Sequence, residues 1–516
     1  MMWRALRNLL RLVWVGWTLA RFGALFPLEN LPQAPALGFL ARASLLVRRR
    51  RHARLRPGQR LAAALAALGP SFIKFGQSLA TRSDLIGDEV SHDLARLQDR
   101  LSPFPFAVAK ATIEAELAAP LTEVYASFDD VPVAAASIAQ VHYAETHDGA
   151  EVAVKVLRPG IEASFARDID LFRWIAGILE HLLPSIRRLR PVEVVALFAE
   201  AVVIEMDMRM EAAAAAELAE NFVGDPDFMV PSVDWQRTTR RVLTLERLHG
   251  HRPDDLEALH AAGHNPTEVL RKSACIFFNQ VFRDGYFHAD MHPGNVFILA
   301  DGRVAPVDFG IMGRLDVKTR HFLADMLTGF LSGDYRRVAA VHFRAGYVPA
   351  HKSVDAFTQA CRSIGEPILG RPLAEISLAT LLAQLFRITG QFEMETQPQL
   401  LLLQKTMLVA EGVGRQVNDQ VNIWELARPL IEQWMIENRS PQARVKQAAI
   451  DAAGLLERLP GLAERAEAAI NDLADGGLRL HPDTVRRFRE AQPHRRWTTW
   501  PLWLTALVVL LVVALG

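Results

Sequence analysis

The chain has 516 residues, half of them hydrophobic, and its 58 basic and 58 acidic side chains give a formal net charge of zero. A chain of this length can bury a two-lobed core with extensions. The neutral overall charge gives no indication of a nucleic-acid partner. The two cysteines, Cys275 and Cys361, form neither a CxxC pair nor a Cys/His cluster, which argues against a disulfide framework and against a zinc site.

Residues 1–60 are predicted to be a basic amphipathic segment on a membrane surface. They carry twelve arginines against one acidic residue, Glu29. An apolar stripe recurs at helical spacing and is formed by Trp3, Leu6, Leu9, Leu10, Val13, Trp14 and Trp17. Because the charge-free run from Leu12 to Ala20 is shorter than the roughly 20 apolar residues of a spanning helix, we expect this helix to lie on an anionic membrane surface. A solvated basic arm is the alternative interpretation.

The next two parts are predicted to be a helical extension, residues 61–130, and a kinase-like N-lobe with inserted helices, residues 131–250. The extension contains the KxGQ motif of Lys74 and Gln77 within the sequence GPSFIKFGQSLATRSD. In the N-lobe, two strand-like runs flank an Asp-Gly turn, and the second carries VAVK, with Lys155 near its end. This pattern predicts that the Lys155 ammonium lies over the α- and β-phosphates of a nucleotide.

An alanine-rich loop stands where protein kinases have a glycine-rich loop, and its residues are Ala134, Ala135, Ala136 and Ser137. Glycine lets backbone N–H groups approach phosphate, whereas each alanine Cβ narrows that approach. We therefore expect this loop to line the nucleotide site but to hold the phosphates differently from a glycine-rich loop.

Residues 251–490 are predicted to be a helical C-lobe that carries the catalytic residues. Residues 288–310 read HADMHPGNVFILADGRVAPVDFG, which places Asp290, Asn295 and Asp308 at the spacing of a kinase catalytic loop and DFG motif. Asp290 is predicted to be the catalytic acid or base, or to position water, and the other two residues to bind Mg²⁺ at the phosphates of ATP. A hairpin with an Asp-Gly turn separates the two metal candidates, and apolar residues at helical spacing predict a buried helix before the loop.

Residues 491–516 are predicted to be a transmembrane tail. No charged residue occurs from Trp497 to Gly516, and Arg495 and Arg496 stand directly before this run. The positive-inside rule then keeps these arginines and the catalytic domain on the cytoplasmic side of the membrane.

The ordered motifs, together with Glu205-Met206-Asp207 and Glu211, resemble the UbiB/ADCK-type atypical kinase family of ubiquinone biosynthesis over about residues 65–315. The resemblance implies an α+β architecture, a bilobal protein-kinase-like fold with an N-terminal helical KxGQ extension. The sequence adds the C-terminal transmembrane helix to this expected fold.

The resemblance also implies that the KxGQ segment folds over the nucleotide cleft and shuts out protein substrates. The residues that it assigns to this regulatory contact are Lys74 and Gln77 on one side and Glu205 and Asp207 on the other. Glu211 would pair with Lys155 beside the nucleotide. Helical spacing predicts that Asp207 and Glu211 share one face of a helix, so that both acids line one cleft.

The motifs therefore predict a membrane-anchored kinase-like ATPase that binds ATP and Mg²⁺ between two lobes, and the resemblance implies that it supports ubiquinone biosynthesis. The implied partners are anionic membrane lipids, polyprenyl-phenol ubiquinone precursors and ubiquinone-biosynthesis enzymes, at the inner membrane of a bacterium. Two alternatives stay open. HADMHPGN also resembles the loop of aminoglycoside and choline kinases, which suggests a small-molecule phosphotransferase, although those enzymes lack KxGQ and the alanine-rich loop. The other alternative is a nucleotide-gated lipid-binding scaffold without turnover.

Overall fold

The computed structural model describes residues 2–25, 54–80, 86–95, 101–182, 191–367 and 388–394, together with parts of 399–437. The chain separates into two compact units, Met1–Ile436 and Glu437–Gly516, and the description below concerns the first. The predicted C-terminal transmembrane helix lies outside the described residues. No helix among those that are described is long and apolar enough to span a bilayer. The predicted boundaries between the five parts of the chain stay predictions.

The helices described in the N-terminal extension are α1 (Met2–Phe22), α2 (Pro57–Leu68), α3 (Pro70–Ala80) and α4 (Asp88–Ala95). Helices α2 and α3 meet at Gly69, whose φ of 108° is a backbone conformation that favours glycine. The Gly69 N–H donates to the Leu65 carbonyl oxygen at 3.3 Å and ends α2, so the KxGQ helix α3 starts at the next residue. Phe72 and Ile73 of α3 are buried in the main hydrophobic core.

The N-lobe contains a five-stranded antiparallel sheet in the order β1-β3-β4-β5, with β2 beside β3. Its strands are β1 (Ser127–Phe128), β2 (Ala134–Ala135), β3 (Ala139–Glu145), β4 (Glu151–Leu157) and β5 (Val242–Glu246). The predicted hairpin before Lys155 is confirmed, because β3 pairs with β4 along its whole length. Successive side chains of β4 point to opposite faces of the sheet. Val154 and Val156 are buried on one face, and Lys155 therefore lies on the other.

Five further helices are described in this half of the molecule. They are α5 (Phe106–Leu117), α6 (Leu121–Val124), α7 (Ile161–Leu182), α8 (Pro191–Glu205) and α9 (Met208–Asn221). The last three lie between β4 and β5 in the chain, and α7 packs against α1, α3 and α8. Aromatic rings fill this contact: Phe172 of α7 stacks on Phe75 of α3, with ring centroids 4.5 Å apart. The KxGQ helix and the inserted helices therefore share one core.

The C-lobe is mainly helical where it is described. Its helices are α10 (Leu256–Ala261), α11 (Pro266–Phe278), α12 (Val317–Leu331), α13 (Tyr335–Arg344) and α14 (Val354–Gly365). Two small sheets consist of β6 (Gly250–His251) with β8 (Val296–Leu299) and β9 (Val304–Pro306), and of β7 (Tyr286–His288) with β10 (Met312–Arg314). Helix α11 continues into a π-helical turn, Asn279–Asp284. The predicted buried helix before the catalytic loop is confirmed, because Phe277, Val281 and Phe282 are all buried.

Candidate functional site

A cation lies between two carboxylates at the centre of the candidate site. The Lys155 Nζ contacts both carboxylate oxygens of Glu211, at 2.7 and 3.0 Å, and the Asp308 Oδ1 at 3.4 Å. The side chains of Lys155 and Glu211 are 15% and 6% exposed, whereas that of Asp308 is 43% exposed. Asp308 therefore lies on the open side of this cluster, where a ligand can reach it.

Three separate elements bring these side chains together. Lys155 projects from β4, Glu211 lies in the first turn of α9, and Asp308 follows β9. The Phe309 backbone N–H also donates to the Glu211 Oε1 at 3.3 Å. Glu211 thus connects the N-lobe sheet to the DFG segment, and the structure contains the Lys155–Glu211 pair that the resemblance implied.

The two carboxyl groups of this cluster share one ammonium. Burial and neighbouring charges therefore shift their pKa values in opposite directions. Burial raises the pKa of Glu211 to about 7 against the opposing effect of Lys155. Although the Asp308 side chain is 43% exposed, the surrounding protein still desolvates it and acts in the same direction, but Lys155 and the Gly310 N–H outweigh this effect and hold the pKa of Asp308 well below its usual value. Although burial favours a neutral amine, Asp308 and Glu211 raise the pKa of Lys155, which stays protonated.

The raised pKa of Glu211 predicts a pH dependence of stability. The pKa of this carboxyl group is 4.5 in the unfolded chain and about 7 in the folded chain. At a pH between these two values, the group takes up a proton when the chain folds. The free energy of unfolding should therefore fall as the pH rises through this window, by at most about 1.4 kcal/mol per pH unit for one proton. Glu211→Gln should flatten this slope in urea unfolding measured across the window.

Glu217→Gln is the matched control for that experiment, because Glu217 lies on the same helix and pairs with Arg314. The control should keep the slope of the wild type. A slope in Glu211→Gln as steep as that of the wild type would show that Glu211 does not titrate as described.

The candidate catalytic loop is fixed by His288, a buried residue that the sequence analysis did not single out. The Asp290 N–H donates to the His288 Nδ1 at 3.1 Å, so Nε2 carries the ring proton and donates to the Asp308 carbonyl oxygen. The His288 N–H in turn donates to the Gln280 Oε1 at 2.9 Å. His288 therefore joins the loop of Asp290 to the DFG segment. Its position in the sequence, two residues before Asp290, was the signal that could have identified this residue.

Asn295 and Asp308 lie at the open end of the predicted hairpin, which the structure confirms as β8 and β9. The Val307 N–H donates to the Asn295 carbonyl oxygen at 3.0 Å, so Asn295, just before β8, and Asp308, just after β9, lie at paired ends of neighbouring strands. The Asn295 Nδ2 donates to the Asp290 carbonyl oxygen at 3.2 Å. That bond leaves Oδ1 as the oxygen that the Asn295 side chain can offer to a cation.

The chemistry of these two residues fits Mg²⁺. Within the described ranges, no group of three or more His, Cys, Asp or Glu side chains is arranged to hold a metal ion. Mg²⁺ prefers oxygen ligands and is usually held by one or two protein groups, with water and substrate phosphates completing its coordination. One amide oxygen and one carboxylate therefore suit a Mg²⁺ ion that binds together with a nucleotide.

The KxGQ helix α3 is joined to the end of α8 by an ion pair between Lys74 and Glu205, whose side chains are 11% and 19% exposed. The positive charge of Lys74 lowers the pKa of Asp308, in addition to the effect of Lys155. Lys74 therefore lies within electrostatic reach of the candidate metal ligand. Gln77 is placed on the same helix, and the contact implied for it stays a prediction.

The prediction that Asp207 and Glu211 share a face of one helix is wrong. Helix α8 ends at Glu205 and α9 begins at Met208, with Asp207 in an extended conformation between them. The Asp207 carboxylate caps α9 by accepting the Arg209 N–H at 3.1 Å, and it pairs with the Arg209 guanidinium at 2.9 and 2.6 Å. Asp207 thus fixes the start of the helix that carries Glu211.

The alanine-rich loop is a closed hairpin. Strand β2 pairs with β3, and the Ala136 N–H donates to the Ala139 carbonyl oxygen at 2.8 Å across a two-residue turn. The turn residues, Ser137 and Ile138, are 0% and 5% exposed. Because the Ala136 N–H is already bonded within the hairpin, this loop offers a phosphate fewer backbone donors than an open glycine-rich loop.

Comparison with known proteins identifies the family. Residues 96–342 match the ABC1 atypical kinase-like domain, and residues 361–422 match the UbiB helical domain. The chain is 41% identical over 500 residues to a Marinobacter nauticus protein named "Probable protein kinase UbiB", and this match covers 95% of the chain and 91% of the relative. The chain belongs to the UbiB family.

Other UbiB relatives show similar agreement. Proteins with the same name in Pseudomonas aeruginosa and Vibrio cholerae are 40% and 43% identical to this chain. The first match covers 96% of the chain and 86% of the relative, and the second covers 85% and 81%. Membership of the UbiB family supports kinase-type activity.

A solved structure agrees with the fold. The Mycobacterium tuberculosis protein Rv3197, determined in complex with erythromycin, matches with a TM-score of 0.51 at 25% sequence identity. The match covers 69% of this chain and 90% of that protein. This UbiB-family chain therefore has a kinase-like ABC1 fold of mixed helix and sheet.

Proposed function

We propose that this UbiB-family chain binds MgATP between its two lobes and transfers the γ-phosphoryl group to water. The proposal rests on the Lys155–Glu211 pair, with Asp308 3.4 Å from the same ammonium. In kinase-like sites such a lysine neutralises nucleotide phosphates, and the DFG aspartate holds the metal. The match to the ABC1 atypical kinase-like domain supports this assignment.

Each residue of the site has its own role in this proposal. Lys155 holds the α- and β-phosphates, and Glu211 fixes the ammonium through two contacts. Asn295 and Asp308 supply the protein oxygens for Mg²⁺, which neutralises and orients the phosphates when it is bound. Asp290 orients the attacking water and accepts its proton. Catalysis then depends on positioning and on charge stabilisation.

The position of the KxGQ helix α3 favours water over a protein as the acceptor of the phosphoryl group. The ion pair between Lys74 and Glu205 holds α3 against the end of α8, and the family resemblance implies that this segment covers the cleft. A protein substrate must bring a stretch of chain to the γ-phosphate, whereas water needs only a small opening. We therefore expect ATP hydrolysis to exceed protein phosphorylation.

Phosphate release from ATP by the purified full chain tests the proposal. The assay compares the rate with and without Mg²⁺, with and without anionic vesicles, and with a polyprenyl-phenol added to the vesicles. Turnover that requires Mg²⁺ is the expected result. Saturable nucleotide binding without turnover would favour the scaffold alternative, and transfer of label to an added choline or aminoglycoside would favour the small-molecule phosphotransferase.

We further propose that helix α1 attaches the chain to a membrane surface. One side of α1 faces the protein: Val15 is buried, and Arg7 and Arg11 pair with Asp170 and Asp168 of α7. The opposite side presents apolar residues that are 42 to 65% exposed, namely Leu6, Leu10, Val13, Trp14 and Trp17. A contiguous apolar face on a fixed helix suits the interfacial region of a bilayer.

Anionic lipids are the partner that the basic residues 1–60 favour. From the family resemblance we add polyprenyl-phenol precursors and the enzymes of ubiquinone biosynthesis as partners, at the inner membrane of a bacterium. The apolar run 497–516 would anchor the chain there, with the catalytic domain in the cytoplasm. The membrane would then bring the ATPase to the place where ubiquinone precursors dissolve.

Deletion of residues 497–516 should leave a protein that still binds anionic vesicles, weakly and only at low salt. Each basic residue near such a surface contributes about 1 kcal/mol, and salt screens this contribution. Sedimentation with vesicles at low and high salt measures the binding. If the truncated protein does not bind anionic vesicles at low salt, the role assigned to residues 1–60 is wrong.

The exposed face of α1 can be tested in the same truncated protein. The double variant Leu10→Glu, Trp17→Glu should lose the remaining binding, because two carboxylates on the exposed apolar face would have to enter the bilayer interface. Val223→Glu changes an apolar residue that is 84% exposed elsewhere on the surface. This matched control should bind like the truncated parent.

A further inference from the structure

The helix before the candidate catalytic loop ends in a turn of unusual geometry. Helix α11 continues into the π-helical turn Asn279–Asp284, where the Gly285 N–H donates to the Gln280 carbonyl oxygen. Gly285 has a φ of 68°, a left-handed conformation that favours glycine. Such turns are rare and occur frequently at functional sites. This one packs against β7, the strand that leads into the candidate catalytic loop, so its side chains can contact that loop.

One side chain of the turn, Gln280, is fully buried and bonds to the end of β7. Its Oε1 accepts the His288 N–H at 2.9 Å. Because the partner is a donor, the amide oxygen must face it, and Nε2 is directed away. Nε2 is also buried, and no atom of the described residues accepts a hydrogen bond from it. Since a buried donor in this condition costs stability, packing alone does not explain a glutamine here.

His288 transmits the contact with Gln280 to the site. Its Nδ1 accepts the Asp290 N–H at 3.1 Å, and its Nε2 donates to the Asp308 carbonyl oxygen. The side chain of Asp308 is also held from another element, by the Lys155 ammonium at 3.4 Å. Asp290 bonds to Asn295 within its own loop, and that contact moves with the loop. A shift of His288 should therefore displace Asp290 more than Asp308.

The π-helical turn itself is held from α12 by Arg320. The Arg320 Nη1 donates to the Phe282 and Arg283 carbonyl oxygens at 2.9 and 2.8 Å. Both carbonyl groups belong to the turn, and a bond from a charged donor is stronger than one from a neutral donor. Arg320 thus fixes the turn that carries Gln280.

We propose that Gln280 is a positioning residue that sets the place of Asp290 through His288, and that Arg320 holds the turn that presents it. The inference rests on the proposed function, in which Asp290 orients the attacking water, and it adds two residues outside the kinase motifs. A displaced Asp290 slows the chemical step. Binding of MgATP should be unaffected, because Lys155 and the metal ligands hold the nucleotide.

The test measures kcat for phosphate release and, separately, the affinity for MgATP by displacement of a fluorescent nucleotide, both on the full chain. Gln280→Met keeps the length of the side chain and removes the bonded oxygen. Its kcat should fall by about tenfold, which a displacement of well under about 1 Å can cause. Its affinity for MgATP should stay within about twofold of the wild type. Gln280→Asn, with a shorter amide, should behave alike and replaces Gln280→Met if that variant does not fold.

Val269→Ala is the matched control for loss of stability. Val269 lies in the first turn of α11 and is buried in the main core. The cavity should lower the melting temperature while kcat stays at the wild-type value. Gln280→Met should lower it less, because it removes the buried Nε2 together with the bonded oxygen. If kcat falls as far in Val269→Ala as in Gln280→Met, turnover follows stability and Gln280 has a structural role alone.

Arg320→Met tests the part that the turn plays. Its kcat should fall as well, because the turn that presents Gln280 loses two charged bonds. The double variant Gln280→Met, Arg320→Met should lose less than the product of the two single effects, as expected for residues that act through one element. Arg320→Lys, whose shorter side chain weakens the same two bonds, replaces Arg320→Met if that variant does not fold.

Three further results would overturn the inference. One is a wild-type kcat in the Gln280 variants. Another is an equal loss of kcat and of MgATP affinity, because Gln280 would then support the nucleotide site as a whole. The third is a double variant whose effect equals the product of the single effects, because Arg320 would then act independently of Gln280.

Failure of the proposed function gives a different result. If the wild type binds MgATP but releases no phosphate, the proposed hydrolysis fails, and the inference fails with it. Turnover by the wild type that is unchanged in the Gln280 variants overturns the inference alone.

Discussion

Asp308→Asn is expected to abolish the thermal stabilisation of the chain by MgATP while the fold stays intact. The substitution removes the charge of the candidate metal ligand, but the amide keeps its size and the oxygen that accepts the Gly310 N–H at 3.1 Å. A ligand present at 100 times its dissociation constant adds about 2.7 kcal/mol to the free energy of unfolding, and the variant should lose this whole amount. Melting temperatures with and without MgATP measure the loss.

Asp301→Asn is the matched control for this experiment. Asp301 lies at the turn of the hairpin whose open end carries Asp308, and it pairs with Arg303 where its side chain is 51% exposed. The control should keep the full stabilisation by MgATP. A shift in Asp308→Asn as large as that of the wild type would remove Asp308 from the nucleotide site.

Lys74→Ala is expected to let the chain phosphorylate itself. Loss of the ion pair with Glu205 loosens α3 over the cleft, and about 1.4 kcal/mol of lost attraction raises the open population roughly tenfold. Transfer of radiolabel from γ-labelled ATP to the protein measures this effect. Labelling should rise by about the same factor, whereas the wild type should release phosphate to water with little labelling.

Lys110→Ala is the matched control, because Lys110 pairs with Glu114 on an exposed helix surface. It should label like the wild type. If Lys74→Ala also labels like the wild type, Lys74 only covers a helix surface with its apolar stem. The KxGQ helix would then have no gating role, and the small-molecule phosphotransferase would again be a serious alternative.

The parts of the site that are encoded by short motifs were predictable from the sequence. Lys155 lies near the end of a strand with alternating burial, and Asn295 and Asp308 flank a hairpin with an Asp-Gly turn, so local pattern predicted the elements on which all three lie. The pair of Lys155 with Glu211 joins residues 56 positions apart. It came from the family resemblance, since no local pattern encodes such a contact.

The break between α8 and α9 shows where local pattern misled. Residues on both sides favour helix, and continuous helical spacing would align Asp207 with Glu211. The structure instead uses Asp207 as the N-cap of α9, a role for which aspartate is among the preferred residues. Buried Met206 occupies the break, and its contacts with the core are tertiary.

Two other features could not be read from the sequence because they depend on contacts between distant segments. The Arg158 guanidinium bonds to Ala136 and Ser102, which lie 22 and 56 positions away. Arg7 and Arg11 of the basic N-terminal segment pair with acids of α7 that follow more than 150 positions later. The apolar stripe of α1 was predictable from helical spacing, but the choice of the face that contacts the protein was not.

Equilibrium binding of ATP to the purified full chain tests most directly whether Lys155, Glu211 and Asp308 form a nucleotide site. Titration calorimetry with and without Mg²⁺ should show saturable binding of about one nucleotide per chain, and affinity should fall when Mg²⁺ is removed. Lys155→Met, which keeps the length of the side chain but removes its charge, should weaken binding by about tenfold or more. Absence of saturable binding in the wild type, or an unchanged affinity in Lys155→Met, would contradict the proposed site.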